Sequence, residues 1–171
     1  DRAYGIDICA HREALKNNLP TIGVLAHGLH TLYPSVHRVT AREAEQNGGL
    51  LTEYTTQQPI LKINFVARNR IVAGMTEATL VIESPEKGGA LITAHLARDY
   101  NREVFALPGN INQECSIGCN RLIRDNVAAL VTSAKDIIET MGWETATRSD
   151  VKQQPSLFPE ISEKESVLLQ I

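Results

Sequence analysis

The stretch Thr79–Leu107, TLVIESPEKGGALITAHLARDYNREVFAL, carries two short apolar runs separated by a helical pattern. Thr79–Glu83 and Glu103–Leu107 are nearly continuous in aliphatic and aromatic residues, as strands are when helices cover both faces of a parallel sheet. Between them, a Pro- and Gly-containing turn opens onto Ala90–Tyr100, whose apolar residues recur at helical spacing. Strand, turn, helix and strand in that order make a right-handed βαβ unit. Further strands are expected at Thr21–Ala26, Leu50–Glu53 and Ala128–Val131. Helices are expected at Ile6–Asn18, Val36–Asn47, Val66–Met75, Cys119–Asp125 and Ala134–Met141. Ser35 and Ser133 stand where helix N-caps belong. The whole predicts an α/β fold: a doubly wound, mostly parallel sheet with helices on both faces.

The composition fits that reading. The chain has 171 residues, 43% of them hydrophobic and 22% charged, enough to bury a core without disulfides or metals. No run approaches the length of a membrane span, and apolar content this high excludes disorder over most of the chain. Three cysteines and no secretory signal point to a reducing, cytoplasmic setting. The net charge of −3 is unevenly spread. Residues 1–138 hold 14 basic and 14 acidic side chains, and the acidic excess lies wholly in residues 139–171. A neutral body leaves room for a local basic patch.

The pattern opens directly on a helix at Tyr4–Gly5–Ile6–Asp7. Doubly wound sheets rarely begin that way, so the expectation is that the first strands of the fold lie outside this sequence. Residues 1–142 form the main domain; residues 143–160, polar and carrying two prolines, read as a linker. Residues 161–171 resume with Ser162 capping a short apolar helix, the start of a further domain.

The densest chemical signal is Lys62–Ile63–Asn64–Phe65–Val66–Ala67–Arg68–Asn69–Arg70, with three cations, one aromatic and no acid. Phosphates call for Lys or Arg, and an exposed ring gives an unstacked base a platform. The same pattern also fits a solvated helix face with Phe65 turned into the core. Gly88–Gly89, in Pro85–Thr93, follow a strand and open a helix, where free N–H groups favour an anion. The spacing is neither that of a P-loop nor of a dinucleotide fingerprint, and a tight turn needing small residues explains it equally well. Pro108–Gly109 again follow a strand, at the edge of an open sheet where ligands bind. Cys115 with Cys119, and His27 with His30, lack a second pair of ligands, so no metal and no other cofactor is expected. Asp7 and His11 share a helix face, a pairing more often structural than catalytic.

Several blocks resemble the bacterial DNA-processing protein A family (DprA, also called Smf). They are Tyr4–His11, Thr21–Val24 with Tyr33–Pro34, Gly48–Gly49 with Glu53, Asn64–Gly74, Gly89–Ala94, Arg102–Gly109 and Gly118–Ile123, in collinear order over residues 3–142. The resemblance implies an extended Rossmann-like domain that binds single-stranded DNA, works as a homodimer, and loads RecA onto incoming strands in natural transformation, with no catalytic activity. By position it implies that Lys62 contacts phosphate and Phe65 stacks on a base. Arg68 and Arg70 would line the basic pocket with Asn64 and Asn69, and Gly88 and Gly89 would form its rim. The helix around Asn120 and Ile123, with Ala129 on the next strand, would supply the dimer surface. Residues 161–171 resemble the opening of a winged-helix domain. The family's upstream glycine-serine-arginine loop has no counterpart here, and its asparagine-phenylalanine-proline tripeptide reads Asn64–Phe65–Val66.

Two other readings compete. Rossmann-type phosphoribohydrolases carry a proline-glycine-glycine-x-glycine-threonine loop followed by a glutamate. The corresponding Pro85–Thr93 lacks the second glycine-threonine step and the carboxylate, which argues against hydrolysis. A pure interaction module would contact RecA through the Asn120–Ile123 face and lose nothing when Lys62 is replaced.

Overall fold

In the computed structural model, residues 5–143 are described. The elements alternate as expected. Helix α1 (Ile6–Lys16) leads into strand β1 (Thr21–Val24), then a 3-10 turn (Ser35–His37) runs into α2 (Arg38–Gln46) and β2 (Gly48–Leu51). There follow α3 (Lys62–Met75), β3 (Ala78–Val81), α4 (Gly89–Asp99) and β4 (Glu103–Ala106). A second 3-10 turn (Glu114–Ser116), α5 (Ile117–Arg124), β5 (Ala129–Leu130) and α6 (Ala134–Met141) complete the order. All strand pairs are parallel, and the Rossmann-like description holds. The strands form two hydrogen-bonded ladders, β1-β2 and β3-β4-β5; β1 and β3 do not pair with one another. The expected linker and terminal helix, residues 144–171, lie outside the described residues.

The best-packed part is the second ladder. Val81, Val104, Ala106, Cys119, Leu122 and Ala128 form one buried cluster with Ala73 of α3 and Ala94 and Ala97 of α4. Alanines at 73, 94 and 97 let α3 and α4 approach one another and the sheet. Phe105, at the middle of β4, is wholly buried. Burial pushes the Cys119 thiol up from its ordinary value, so it stays protonated and acts as a small apolar side chain.

Two boundaries move for physical reasons. Helix α3 begins four residues before the expected Val66, with extended Leu61 as N-cap and no side-chain cap. No Ser, Thr, Asp or Asn marks that start, so the sequence carries no stop-and-start signal there. Ser35 does not cap α2; it lies within the 3-10 turn and makes no capping bond. Ser133, by contrast, caps α6. Its hydroxyl accepts the Asp136 N–H at 3.4 Å and donates to the Asp136 carboxylate at 2.9 Å. That carboxylate also accepts the N–H groups of Thr132 and Ser133 at 2.7 and 3.0 Å. The donated bonds hold its pKa down to about 2, against an ordinary 3.8. A carboxyl lowered on folding stabilises the folded state at pH above its unfolded value, and that contribution disappears as pH falls through the folded one. The start of α6 is therefore expected to be fully held above about pH 5 and to loosen between pH 4 and 2. An NMR titration following the Asp136 carboxyl and the Thr132 amide together checks this.

No helix among the described residues is long and apolar enough to cross a membrane.

Candidate nucleic-acid interface

The loops that follow β1 and β2 are laced into one surface at the C-terminal end of that ladder. Buried His27 is the hub. Its Nδ1–H donates to the Gly28 carbonyl at 2.9 Å, its Nε2 accepts the Tyr33 N–H at 3.3 Å, and its carbonyl accepts the Thr52 hydroxyl at 2.9 Å. Gly28 allows the close approach, because a Cβ there would lie 2.2 Å from the carbonyl oxygens of Thr55 and Thr56. The Gly28 N–H donates to Gln58 O at 3.1 Å. Helix α3 starts just beyond this lacing, and the Tyr54 hydroxyl donates to the Asn64 carbonyl in its first turn at 3.3 Å.

The position of the helix start places each residue of the Lys62–Arg70 block. Lys62 is the first helical residue and is exposed. Among the described residues no acid pairs with it. Phe65 is half-buried and outside the core: its ring meets Tyr33 edge-to-face, centroids 6.1 Å apart at 76°. The Arg68 guanidinium stands 6.0 Å from the Phe65 centroid, within cation–π range. Arg68 also donates to the Val24 carbonyl at the end of β1, and through Nε to Asn69 Oδ1 at 3.3 Å. Burial lowers the Arg68 pKa and the Asp7 charge acts against that; the group stays cationic. Thus Phe65, Arg68, Asn69 and Tyr33 form one cluster, with Lys62 at its outer edge.

Three expected site residues sit differently. Asn64 is buried at 7% exposure; the first turn of α3 turns it inward. The Arg70 charge is already met by Glu53, with which it forms an ion pair. The carboxylate comes from the loop after β2, so an inspection of the Lys62–Arg70 block alone shows three cations where two are free of an acid. Gly88 closes a turn: a Cβ there would lie 2.1 Å from the Ser84 hydroxyl, which bears out the need for a small residue. Gly89 is the first residue of α4.

Replacing Glu53 with Gln is expected to release Arg70. If the block contacts phosphates, single-strand binding then tightens and its log–log salt slope steepens by about 0.7, while stability changes by less than about 1 kcal/mol because the pair is partly exposed. Salt-dependent anisotropy titrations with a thermal melt check both.

A second loop cluster sits at the C-terminal end of β3 and β4. Asn120 clamps Gly109 with both amide atoms, accepting its N–H at 3.1 Å and donating to its carbonyl at 2.9 Å. Gly118 N–H donates to Ser84 O at 2.8 Å. Ile123 is half-buried against the core cluster, whereas Ala129 and its neighbour Leu130 are exposed. Of Asp7 and His11, His11 is tied to β1: its Nδ1 bonds the Thr21 hydroxyl at 2.6 Å, and burial lowers its pKa more than Asp7 raises it. Among the described residues, no three His, Cys, Asp or Glu side chains come together as a metal site.

Tyr33 and Glu53 were missed as site residues by local spacing, because each reaches α3 from a distant loop. Both stood among the family blocks, which was the available signal.

A parallel α/β sheet with cations and an aromatic pair gathered at its strand C-terminal ends defines a Rossmann-like protein. Comparison with known proteins narrows that class. The profile of the DNA recombination-mediator protein A family matches residues 2–142, and the chain belongs to this family. It is 43% identical over 140 residues to Protein Smf of Escherichia coli, covering 81% of this chain and 37% of that protein. It is 40% identical over 136 residues to DNA processing protein DprA of Streptococcus pneumoniae. The crystal structure of that protein superposes with a TM-score of 0.74 over 80% of this chain and 48% of its own. DNA processing protein A of Helicobacter pylori, solved for its single-stranded DNA-binding mode, superposes at 0.67 with 25% identity, over 78% of this chain and 71% of its own. The chain therefore spans less than half the length of the Escherichia coli and Streptococcus pneumoniae relatives.

Proposed function

We propose that this chain is the nucleic-acid-binding part of a recombination mediator and holds single-stranded DNA at the start of α3. The carrying observation is Lys62 itself. It is a cation at the first position of a 14-residue helix that has no side-chain cap and no acid in its first turn. A positive charge at the positive end of a helix dipole costs about 0.3–1 kcal/mol, and a phosphate there reverses the sign. Phe65 lies one turn further on, with Tyr33 and Arg68 fixing its ring. Phosphate on Lys62 and a base against the open part of the ring make a single-strand site, indifferent to sequence because every base has a π-face.

Lys62→Ala is expected to weaken binding to oligo-dT and to mixed-sequence strands alike, flattening the salt slope by about 0.7. The thermal midpoint stays within about a degree, since the side chain is exposed. Unchanged affinity at low salt would remove Lys62 from the site.

The same reading makes the protein a mediator that delivers RecA to the strand, not an enzyme. Support comes from the family to which the chain belongs, and from a Pro85–Thr93 turn whose glycine is explained by packing on Ser84. A homodimer through the α5–β5 face belongs to the same proposal. Ala129 and Leu130, exposed on the last strand, are its better probes, because Ile123 packs on the core and its replacement by a charge would disturb the fold as well.

A further inference from the structure

We propose that His27 is a positioning residue for the Phe65 site and makes strand binding acid-sensitive: a second proton on its ring unseats Tyr33, and with it the brace of the aromatic platform. This rests on the reading that single-stranded DNA is held at the start of α3. His27 lies three residues beyond β1 and is 1% exposed. Both of its ring nitrogens are committed, and in opposite senses. The Gly28 carbonyl, 2.9 Å from Nδ1, only accepts, so Nδ1 carries the hydrogen. The Tyr33 N–H, 3.3 Å from Nε2, only donates, so Nε2 keeps its lone pair. One tautomer of the neutral ring satisfies both. An imidazolium does not, because its added proton goes to Nε2 and meets the Tyr33 N–H donor against donor. The lacing as formed takes the neutral ring alone, whereas a loop with Tyr33 swung away takes either. Acid therefore shifts the population toward the second.

What His27 holds is what Phe65 leans on. Tyr33 is tied to His27 by its N–H, and its ring meets Phe65 edge-to-face. The Thr52 hydroxyl donates to the His27 carbonyl and accepts the Tyr54 N–H at 3.1 Å, which ties the same residue to the loop after β2.

The charged and titratable groups on the surrounding elements leave this device exposed to protons. The only carboxylate on the two loops and α3 is Glu53, and Arg70 engages it. Burial and Glu53 raise Tyr54 further above its ordinary value. On α3, Arg68 is a cation bonded at Val24, three residues upstream of His27, and Lys62 is another. His30 and His37 stand on the same loop, and His11 of α1 bonds Thr21 at the start of β1. His30 Nδ1–H donates to the Thr56 carbonyl, a bond that the neutral and the charged ring make alike. Between about pH 8 and 5 only imidazoles among these groups change charge. The sign of the effect is then diagnostic. Added protons strengthen attraction to phosphate, so His30 and His37 by themselves tighten binding in acid; the His27 lacing weakens it.

The test is anisotropy of labelled oligo-dT at constant ionic strength, with an NMR titration of the DNA-free chain. From about pH 8 to pH 5 the affinity is expected to fall about 2- to 12-fold, the fold-change of the one net hydrogen bond, worth about 0.5–1.5 kcal/mol, that seats Tyr33. His27→Gln sets a carbonyl acceptor near the place of Nε2 and takes no proton. It should bind more tightly than His27→Leu at pH 8, and should tighten in acid where the parent weakens. Without DNA, the Tyr33 amide should titrate in step with the His27 ring while the amides of β4 stay still. A ring that remains neutral to pH 5, a Tyr33 amide that does not follow it, or a parent affinity that holds or rises in acid would overturn the proposal. So would a fall in affinity that coincides with loss of the far-UV circular dichroism of the whole fold. Absence of oligo-dT binding at pH 8 would overturn the α3 reading itself, and the DNA-free titration separates that failure from a failure of the His27 lacing.

Discussion

Phe65→Ala is expected to reduce the affinity for oligo-dT about 5- to 150-fold, corresponding to the 1–3 kcal/mol that a stacked base loses with its aromatic platform. The ring is half-buried, so part of its surface is already committed to Tyr33 and Arg68. Losing the edge-to-face contact costs stability about 0.5–1.5 kcal/mol. Binding should therefore fall much further than melting. Phe65→Leu separates the two effects: it retains apolar volume against Tyr33 and lacks the π-face, so it should melt near the parent and bind near the alanine variant. Equilibrium anisotropy at fixed salt and a thermal melt of each variant check this. A melt that collapses in both variants with binding unchanged per folded molecule would assign Phe65 to packing alone.

The largest effect on the fold is expected at Phe105. It is fully buried at the centre of β4, and β4 is the strand that joins β3 to β5. Truncation to alanine removes the ring and leaves a cavity that a parallel strand held on both sides cannot collapse, at a cost of about 3–5 kcal/mol. Against a typical total of about 5–15 kcal/mol, this leaves a fold that unfolds at markedly lower denaturant. Phe105→Leu should recover more than half of the loss. Chemical denaturation monitored by far-UV circular dichroism measures both variants; an Ala variant within 1 kcal/mol of the parent would contradict the packing described for the second ladder.

The elements were legible because their signals are local. Aliphatic runs of four or five residues announce buried parallel strands, and the order of strands and helices announces the wind of the sheet. The start of α3 was not, since Leu61 caps it by backbone conformation alone and no side chain advertises it. Nor was the division into two ladders, because strand order is set by long-range pairing that apolar runs do not encode.

At the site, the residues on α3 were legible as a block, and their states were not. Asn64 looks as polar and available as Asn69, and only the fold turns it inward. Arg70 is ion-paired with Glu53, 17 residues away, and Arg68 is held by Val24 O, 44 residues away. Such contacts leave no periodic trace. Among the described residues, what remains of the block after those two bonds is a single uncommitted cation, Lys62, beside a braced aromatic ring. That makes a smaller and sharper candidate site than three cations in one block suggest.

The most direct test of the account is fluorescence anisotropy of labelled oligo-dT, and of its duplex with oligo-dA, titrated with this chain at 50 and 200 mM salt. The account predicts tighter binding to the single strand than to the duplex, and weakening as salt rises. Binding to the duplex as tight as to the single strand, or no binding to oligo-dT at 50 mM salt, would contradict it.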